Sequence, residues 1–201
     1  MSCHDPNLEE PVFHELPQNL GGLRILDVGF GRGVWGFFLK TMFTGNPYIV
    51  GVEPYTPYCE NQYKVSIYDE VFNGTIEDFL SNHPNTRFDA IIASEVIEHL
   101  NPDAALNVMD ELKKRLIKGG VLIITVPDGW TPGGEGYDGN ELHKHRSGFD
   151  EADFTQRGYA TTLIPRLHIS GRIPTLLGTA WHVLRRGKKP RGIMAVWRKT
   201  A

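Results

Sequence analysis

Thiols are scarce in this chain: two cysteines in 201 residues. Cys3 and Cys59 cannot build a disulfide framework, and neither has the CxxC or clustered Cys/His spacing of a structural zinc site. Long hydrophobic runs are also missing. No stretch approaches the ~18 apolar residues of a membrane span, and the opening MSCHDPNLEE is too acidic for a secretory signal or transit peptide. The expected address is therefore the cytoplasm. Glycine (22) and proline (13) are too few for a collagenous or low-complexity chain. A third absence is acid near the C-terminus, because no Asp or Glu follows Asp153. Residues 154–201 carry ten basic groups, a formal +10, against −13 for the first 153, which together give the net −3. Such polarity suits an anionic small molecule, an anionic membrane surface or, less well, RNA. It equally suits attraction between the two parts within one fold.

What the chain does contain is alternation. Arg24–Gly29, Tyr48–Glu53, Glu70–Thr75, Phe88–Ser94, Val121–Val126, Thr161–His168 and Ile193–Trp197 read as short strands, most rich in Val, Ile and Leu. Between them lie helix candidates at Val34–Phe43, Thr56–Tyr68, a brief one through Leu80, Asn101–Ile117, Asp150–Arg157 and Pro174–Leu184. Asn101 reads as a cap with Pro102 in the first turn, and Lys118-Gly119-Gly120 as the stop. Trp35, Phe37 and Phe38 read as core packing for the first of these helices. The pattern predicts an α/β, doubly wound, Rossmann-like sheet of seven mostly parallel strands with helices on both faces. One domain over residues 1–201 is expected, with a core at about 23–127 and a loop, lid and acceptor-side segment over 128–201.

The first chemical signal is LDVGFGRG, residues 26–33, where a strand runs through glycines into a helix. Glycines allow left-handed dihedrals and close approach of a ligand, and the helix start offers free N–H groups. Glu53 ends the next strand, where a carboxylate can accept both hydroxyl hydrogens of a ribose. Two nucleotide readings follow. GRGVWG (31–36) matches the dinucleotide GxGxxG and would suit an NAD(P)-dependent oxidoreductase. The register Asp27-x-Gly29-x-Gly31-x-Gly33 sits better at the strand end, and its carboxylate suits a ligand with a cationic amino group rather than a pyrophosphate.

In that second register ILDVGFGRG followed by VGVEP resembles the class I S-adenosylmethionine-dependent methyltransferases. FDAIIASEVIEHL and LKKRLIKGGVLIITVP resemble later segments of their small-molecule branch, which includes ubiquinone and menaquinone biosynthesis enzymes. The resemblance covers about Leu23–Pro127, with a weaker echo at His143–Gly158. It implies S-adenosylmethionine as cofactor and S-adenosylhomocysteine as product. It further implies that Gly29, Gly31 and Gly33 lie beneath the methionine and ribose, and that Asp27 orders the turn and the amino-acid end. Glu53 would bind the ribose hydroxyls, with Pro54 and Tyr55 beside the adenine. Thr75 and Ile76 occupy the adenine-contacting stretch, with Thr75 where an Asp is usual and Asp78 as its substitute. Ser94 and Glu95 would flank the methionine and methyl donor.

Methyl transfer is an in-line displacement that asks mainly for alignment and exclusion of water, and for a base where the acceptor holds a firmly bound proton. His143 and His145 are the candidate catalytic residues, with Asp128, Tyr137 and His99 behind them. Glu98-His99 otherwise reads as a polar step into the Asn101 cap. His143-x-His145 has a metal-pair spacing, but no third ligand is legible, so no metal is expected. Glycines 133, 134, 136 and 139 suggest a loop that orders over donor and acceptor. A small-molecule acceptor is the expected partner. Leu176, Leu177, Trp181, Val183 and Leu184 with RRGKKPR could rest peripherally on an anionic membrane or cover the acceptor pocket. No nucleic-acid module is recognisable, and oligomeric state is not legible. A methyltransferase-like protein that binds cofactor without turnover is the remaining alternative.

Overall fold

The structure, a computed structural model, describes residues 6–61, 66–130, 140–165 and 191–200. The parallel strands are β1 (Arg24–Val28), β2 (Tyr48–Glu53), β3 (Glu70–Asn73), β4 (Phe88–Ser94) and β5 (Leu116–Pro127). They are joined by β6 (Ala160–Pro165) and β7 (Arg191–Arg198) in a seven-stranded sheet of order β3-β2-β1-β4-β5-β7-β6. β7 runs antiparallel between β5 and β6. The predicted α/β, mostly parallel, doubly wound sheet is therefore present, with one antiparallel hairpin at its edge.

Alternation along the strands makes two cores. Leu26, Val50, Ile91 and Leu122 belong to one cluster, while their neighbours Ile25, Ile49, Ile92 and Ile123 belong to the other. Adjacent strand residues point to opposite faces, so both faces are apolar and both must be covered. Helices α1 (Glu9–His14), α2 (Val34–Thr41) and α3 (Thr56–Cys59) supply Val12, Trp35, Leu39 and Tyr58 to one cluster. Helices α4 (Ile76–Asn82), α5 (Pro102–Lys114) and α6 (Glu151–Thr155) supply Phe79, Met109, Leu112 and Phe154 to the other. Among the described residues no helix is long and apolar enough to cross a membrane.

Several expectations need correcting. α5 stops at Lys114 rather than near Ile117, and the Lys-Gly-Gly signal lies inside β5. There Gly119 (φ 82°) accompanies a register shift between the Phe88 and Ala90 pairings, a bulge rather than a helix cap. The cause is next door: Leu116 is fully buried opposite Phe88, and the buried Arg115 guanidinium donates to the carbonyls of Leu80 (2.8 Å) and Pro84. Those contacts pull the chain out of the helix one turn early. Asn101 caps α5 by backbone geometry alone, without a side-chain bond. Of the helix expected over Thr56–Tyr68, the described part is α3 to Cys59, and residues 62–65 lie outside the described residues. Phe37 is exposed (42%), unlike Trp35, because it faces away from the sheet on α2. The Pro174–Leu184 helix, the Gly133–Gly139 loop with Tyr137, and most of RRGKKPR lie outside the described residues.

Candidate active site

Strand order reverses between β1 and β4, which opens a crevice at the carboxyl ends of the parallel strands. A cavity of about 420 Å³ sits there, within the usual range for small-molecule sites. Its floor is the turn after β1. Gly29, Gly31 and Gly33 have φ of 66°, 51° and 77°, a region that L side chains rarely enter. A Cβ on Gly29 would stand 2.5 Å from Val96 Cγ2, so the turn can press against the loop after β4 only without a side chain.

Glu53, at the end of β2, is buried and holds this turn from the side. Its Oε2 accepts the Gly31 N–H (2.9 Å) and its Oε1 the Tyr55 N–H (2.8 Å). Asp27 lies beneath the turn and is not among the residues lining the cavity. The Tyr68 hydroxyl donates to its Oδ2 at 2.6 Å. Burial raises the Asp27 pKa to about 7; the Tyr68 bond opposes the rise, and the Glu53 charge adds to it. Gly36, the last glycine of the dinucleotide register, serves packing instead. A Cβ there would lie 2.6 Å from the Tyr68 ring.

Pro54, Thr75 and Ile76 line the cavity, whereas Tyr55 does not and packs edge-on against Tyr58, which does. Thr75 is engaged as the cap of α4: its Oγ1 accepts the Asp78 N–H (3.1 Å) and donates to the Asp78 carboxylate (2.8 Å). Ser94 and Glu95 line the opposite wall. Glu95 has φ 57°, the one non-glycine residue with positive φ among those described. Such strain persists where surrounding bonds enforce it. Here the Glu95 N–H donates to the Thr125 carbonyl (2.9 Å), and the Thr125 hydroxyl, itself bonded to Ser94 (2.8 Å), donates to Glu95 Oε1 (3.3 Å).

The fourth wall comes from residues 140–146, which approach the short 3-10 turn Ile97–His99. The Arg146 and Ser147 N–H groups donate to the Glu98 carbonyl at 2.8 and 3.0 Å. His143 and His145 thereby reach the cavity, and His99 lies near both, with ring centroids 6.2 Å from His143 and 4.9 Å from His145. Burial lowers the His99 pKa to about 4; the Lys144 carbonyl works against this, and His145, His143 and Arg146 add to it. The ring is neutral at pH 7. Asp128, in contrast, bridges to Phe149 and does not line the cavity. His99, named behind the two histidines, lines the cavity, as does Glu98, read as a polar step; Tyr58, Val96, Asn140 and Arg146 line it without having been expected there. Only the paired polar residues of VIEH carried a visible signal.

The glycine floor, the carboxylate at the end of β2 and the cavity between them fit a nucleoside carrying an amino-acid tail. A family model described as a methyltransferase domain matches residues 7–169. No curated protein matches the chain. Similar solved structures include an S-adenosylmethionine-dependent methyltransferase from Archaeoglobus fulgidus (13% identity, TM-score 0.59, covering 96% of this chain and 93% of that one). Another is the 1,6-didemethyltoxoflavin N1-methyltransferase of Burkholderia thailandensis, solved with 1,6-didemethyltoxoflavin and S-adenosylhomocysteine (15%, 0.62, 98% and 80%). A third is the N-methyltransferase NodS of Bradyrhizobium japonicum with S-adenosylhomocysteine (14%, 0.61, 98% and 89%).

Proposed function

The chain belongs to the methyltransferase-domain family, and from that premise we propose that it moves a methyl group from S-adenosylmethionine to a small-molecule acceptor. The observation that carries this reading is the sharing of one cavity by the glycine turn, Glu53, Glu95 and the pair His143/His145. When bound, S-adenosylmethionine supplies a methyl on a sulfonium, whose S–C bond breaks with its electron pair returning to sulfur as S-adenosylhomocysteine.

The side chains divide the remaining work. Glu53 accepts the backbone N–H groups of Gly31 and Tyr55 and presents its carboxylate at the cavity wall, where it receives the ribose hydroxyls. The bare turn at Gly29–Gly33 admits the nucleoside and tail at backbone distance. Asp27 acts from below, through the turn it supports. Thr75 and Ile76 contribute backbone and apolar surface toward the base, since the Thr75 hydroxyl is committed to its cap. Ser94 and Glu95 border the methyl end. His143 and His145 face the acceptor, where an imidazole takes up a proton from a hydroxyl or ammonium. The similar Burkholderia thailandensis structure holds the small molecule 1,6-didemethyltoxoflavin, which supports a small-molecule acceptor here.

Calorimetric titration with S-adenosylmethionine, S-adenosylhomocysteine and NADH tests the reading, alongside Glu53→Ala. Micromolar affinity for both sulfur nucleotides, at least tenfold weaker in the variant, with no NADH binding, is the expected result. NADH binding without the other two would overturn it.

A further inference from the structure

We infer that Glu98, His99 and His145 form a divalent-cation site in the wall of the cavity facing the acceptor. Three potential ligand atoms, one from each residue, lie within 4.8 Å of one another. Two come from the turn after β4 and the third from a segment 46 positions later, so the cluster exists only in the folded chain. This departs from the metal-free expectation, which rested on the missing third ligand for the histidine pair.

The arrangement is organised by bonds that a cation would leave intact. His99 Nδ1 lies 3.2 Å from the Lys144 carbonyl. A carbonyl only accepts, so that nitrogen carries the hydrogen and Nε2 presents its lone pair. Nε2 is also the atom that faces Glu98 Oε1, at 4.0 Å. A hydrogen bond from the far ring nitrogen to a carbonyl is the usual way in which a ligating histidine is aimed. The segment bearing His145 is pinned to the same turn by the Arg146 and Ser147 N–H bonds to the Glu98 carbonyl and by the Ser147 hydroxyl on the Ile97 carbonyl (3.3 Å). An ion held at ~2.1 Å from each ligand would draw the three atoms to roughly 3–3.5 Å apart.

Two imidazoles and one carboxylate leave open positions on a divalent ion, the pattern of a catalytic rather than a closed structural site. Those positions face the same space as Ser94 and Glu95. The acceptor class this favours, resting on the methyltransferase reading above, is a hydroxyl with a neighbouring oxygen, so that both oxygens chelate the ion. Coordination makes the hydroxyl more acidic. Its proton passes to the His143 imidazole, and the oxygen lone pair thus freed forms the new bond to the methyl carbon.

The test uses the whole chain and reads binding directly. Co²⁺ titration followed by its visible ligand-field bands, with Mn²⁺ followed by paramagnetic resonance, is run on wild type, Glu98→Gln, His99→Asn and His145→Asn. The exposed and distant His14→Ala is the control. One saturable Co²⁺ per chain is expected, weakened at least tenfold in each of the three variants and unchanged in the control. S-adenosylhomocysteine affinity should stay within about threefold throughout, which also shows that each variant is folded. Absence of saturable Co²⁺ and Mn²⁺ binding by wild type, or equal binding by all variants, would sink the site. Metal binding without S-adenosylhomocysteine binding would keep the site and remove the methyltransferase reading instead.

Discussion

Replacing Gly29 by alanine loads two separable terms onto one turn. Its φ of 66° lies in the left-handed region, which costs a residue with a Cβ about 1–2 kcal/mol. The new methyl would also meet Val96 Cγ2 at 2.5 Å, and relieving such an overlap typically costs about 1–3 kcal/mol. The sum, about 2–5 kcal/mol, corresponds in a chain of this size to a fall in Tm of roughly 4–20 °C. Gly22 isolates the first term: its φ is 77° and a Cβ there meets nothing within 4 Å. Gly22→Ala should therefore lose only about 1–2 kcal/mol. Removing the obstacle isolates the second term. In a double-mutant cycle Val96→Ala should couple favourably to Gly29→Ala by about 1 kcal/mol or more. Urea unfolding followed by circular dichroism measures wild type and the four variants, and calorimetry with S-adenosylhomocysteine checks the cavity. Gly29→Ala should also weaken that ligand, because the shifted Val96 borders the same cavity. If Gly29→Ala is no worse than Gly22→Ala, or the cycle shows no coupling, close approach does not explain this glycine.

Two further outcomes follow from the buried groups. Asp27 titrates near 3.8 in the unfolded chain and near 7 in the folded one, so between those values the folded chain holds a proton that the unfolded chain has lost. Its contribution is full below pH 3.8 and is lost as pH rises to 7, by up to about 4 kcal/mol at ~1.4 kcal/mol per unit. Asp27→Asn keeps an acceptor for Tyr68 and should flatten this fall in unfolding free energy between pH 4.5 and 8; parallel curves for variant and wild type would refute it. His143→Asn should lower turnover on a hydroxyl acceptor at least tenfold while S-adenosylhomocysteine affinity stays within about threefold. Single-turnover rates across pH check it, and an unchanged rate and profile would remove His143 as the proton acceptor.

Sheet strands and the glycine turn were legible because their signals are local. A run such as Val121–Val126 is apolar on both faces wherever it is placed, and a strand ending in spaced glycines before an apolar helix has few other uses. Lys118-Gly119-Gly120 misled for the same reason, since a glycine after a basic turn is equally a helix stop and a bulge. The choice was made elsewhere in the chain, by the Leu80 and Pro84 carbonyls that hold Arg115 and by Phe88 opposite Leu116. Tyr55 and Tyr58 show a smaller failure of the same kind. Both are aromatic and near Glu53, and only the turn of α3 decides which one faces the cavity.

The class of fold, the glycine turn after β1 and the carboxylate beside it were readable along the chain, because each depends on residues within one strand–turn–helix unit. Folding in three dimensions places Asp27 under the turn against Tyr68 rather than at its surface. The same structure strained Glu95 against Thr125 and set Glu98 and His99 beside His145. Those three outcomes join segments that are between 30 and 47 residues apart. No pattern along the chain encodes them, because they are set by the order of strands in the sheet and by the backbone bonds that lay one loop across another.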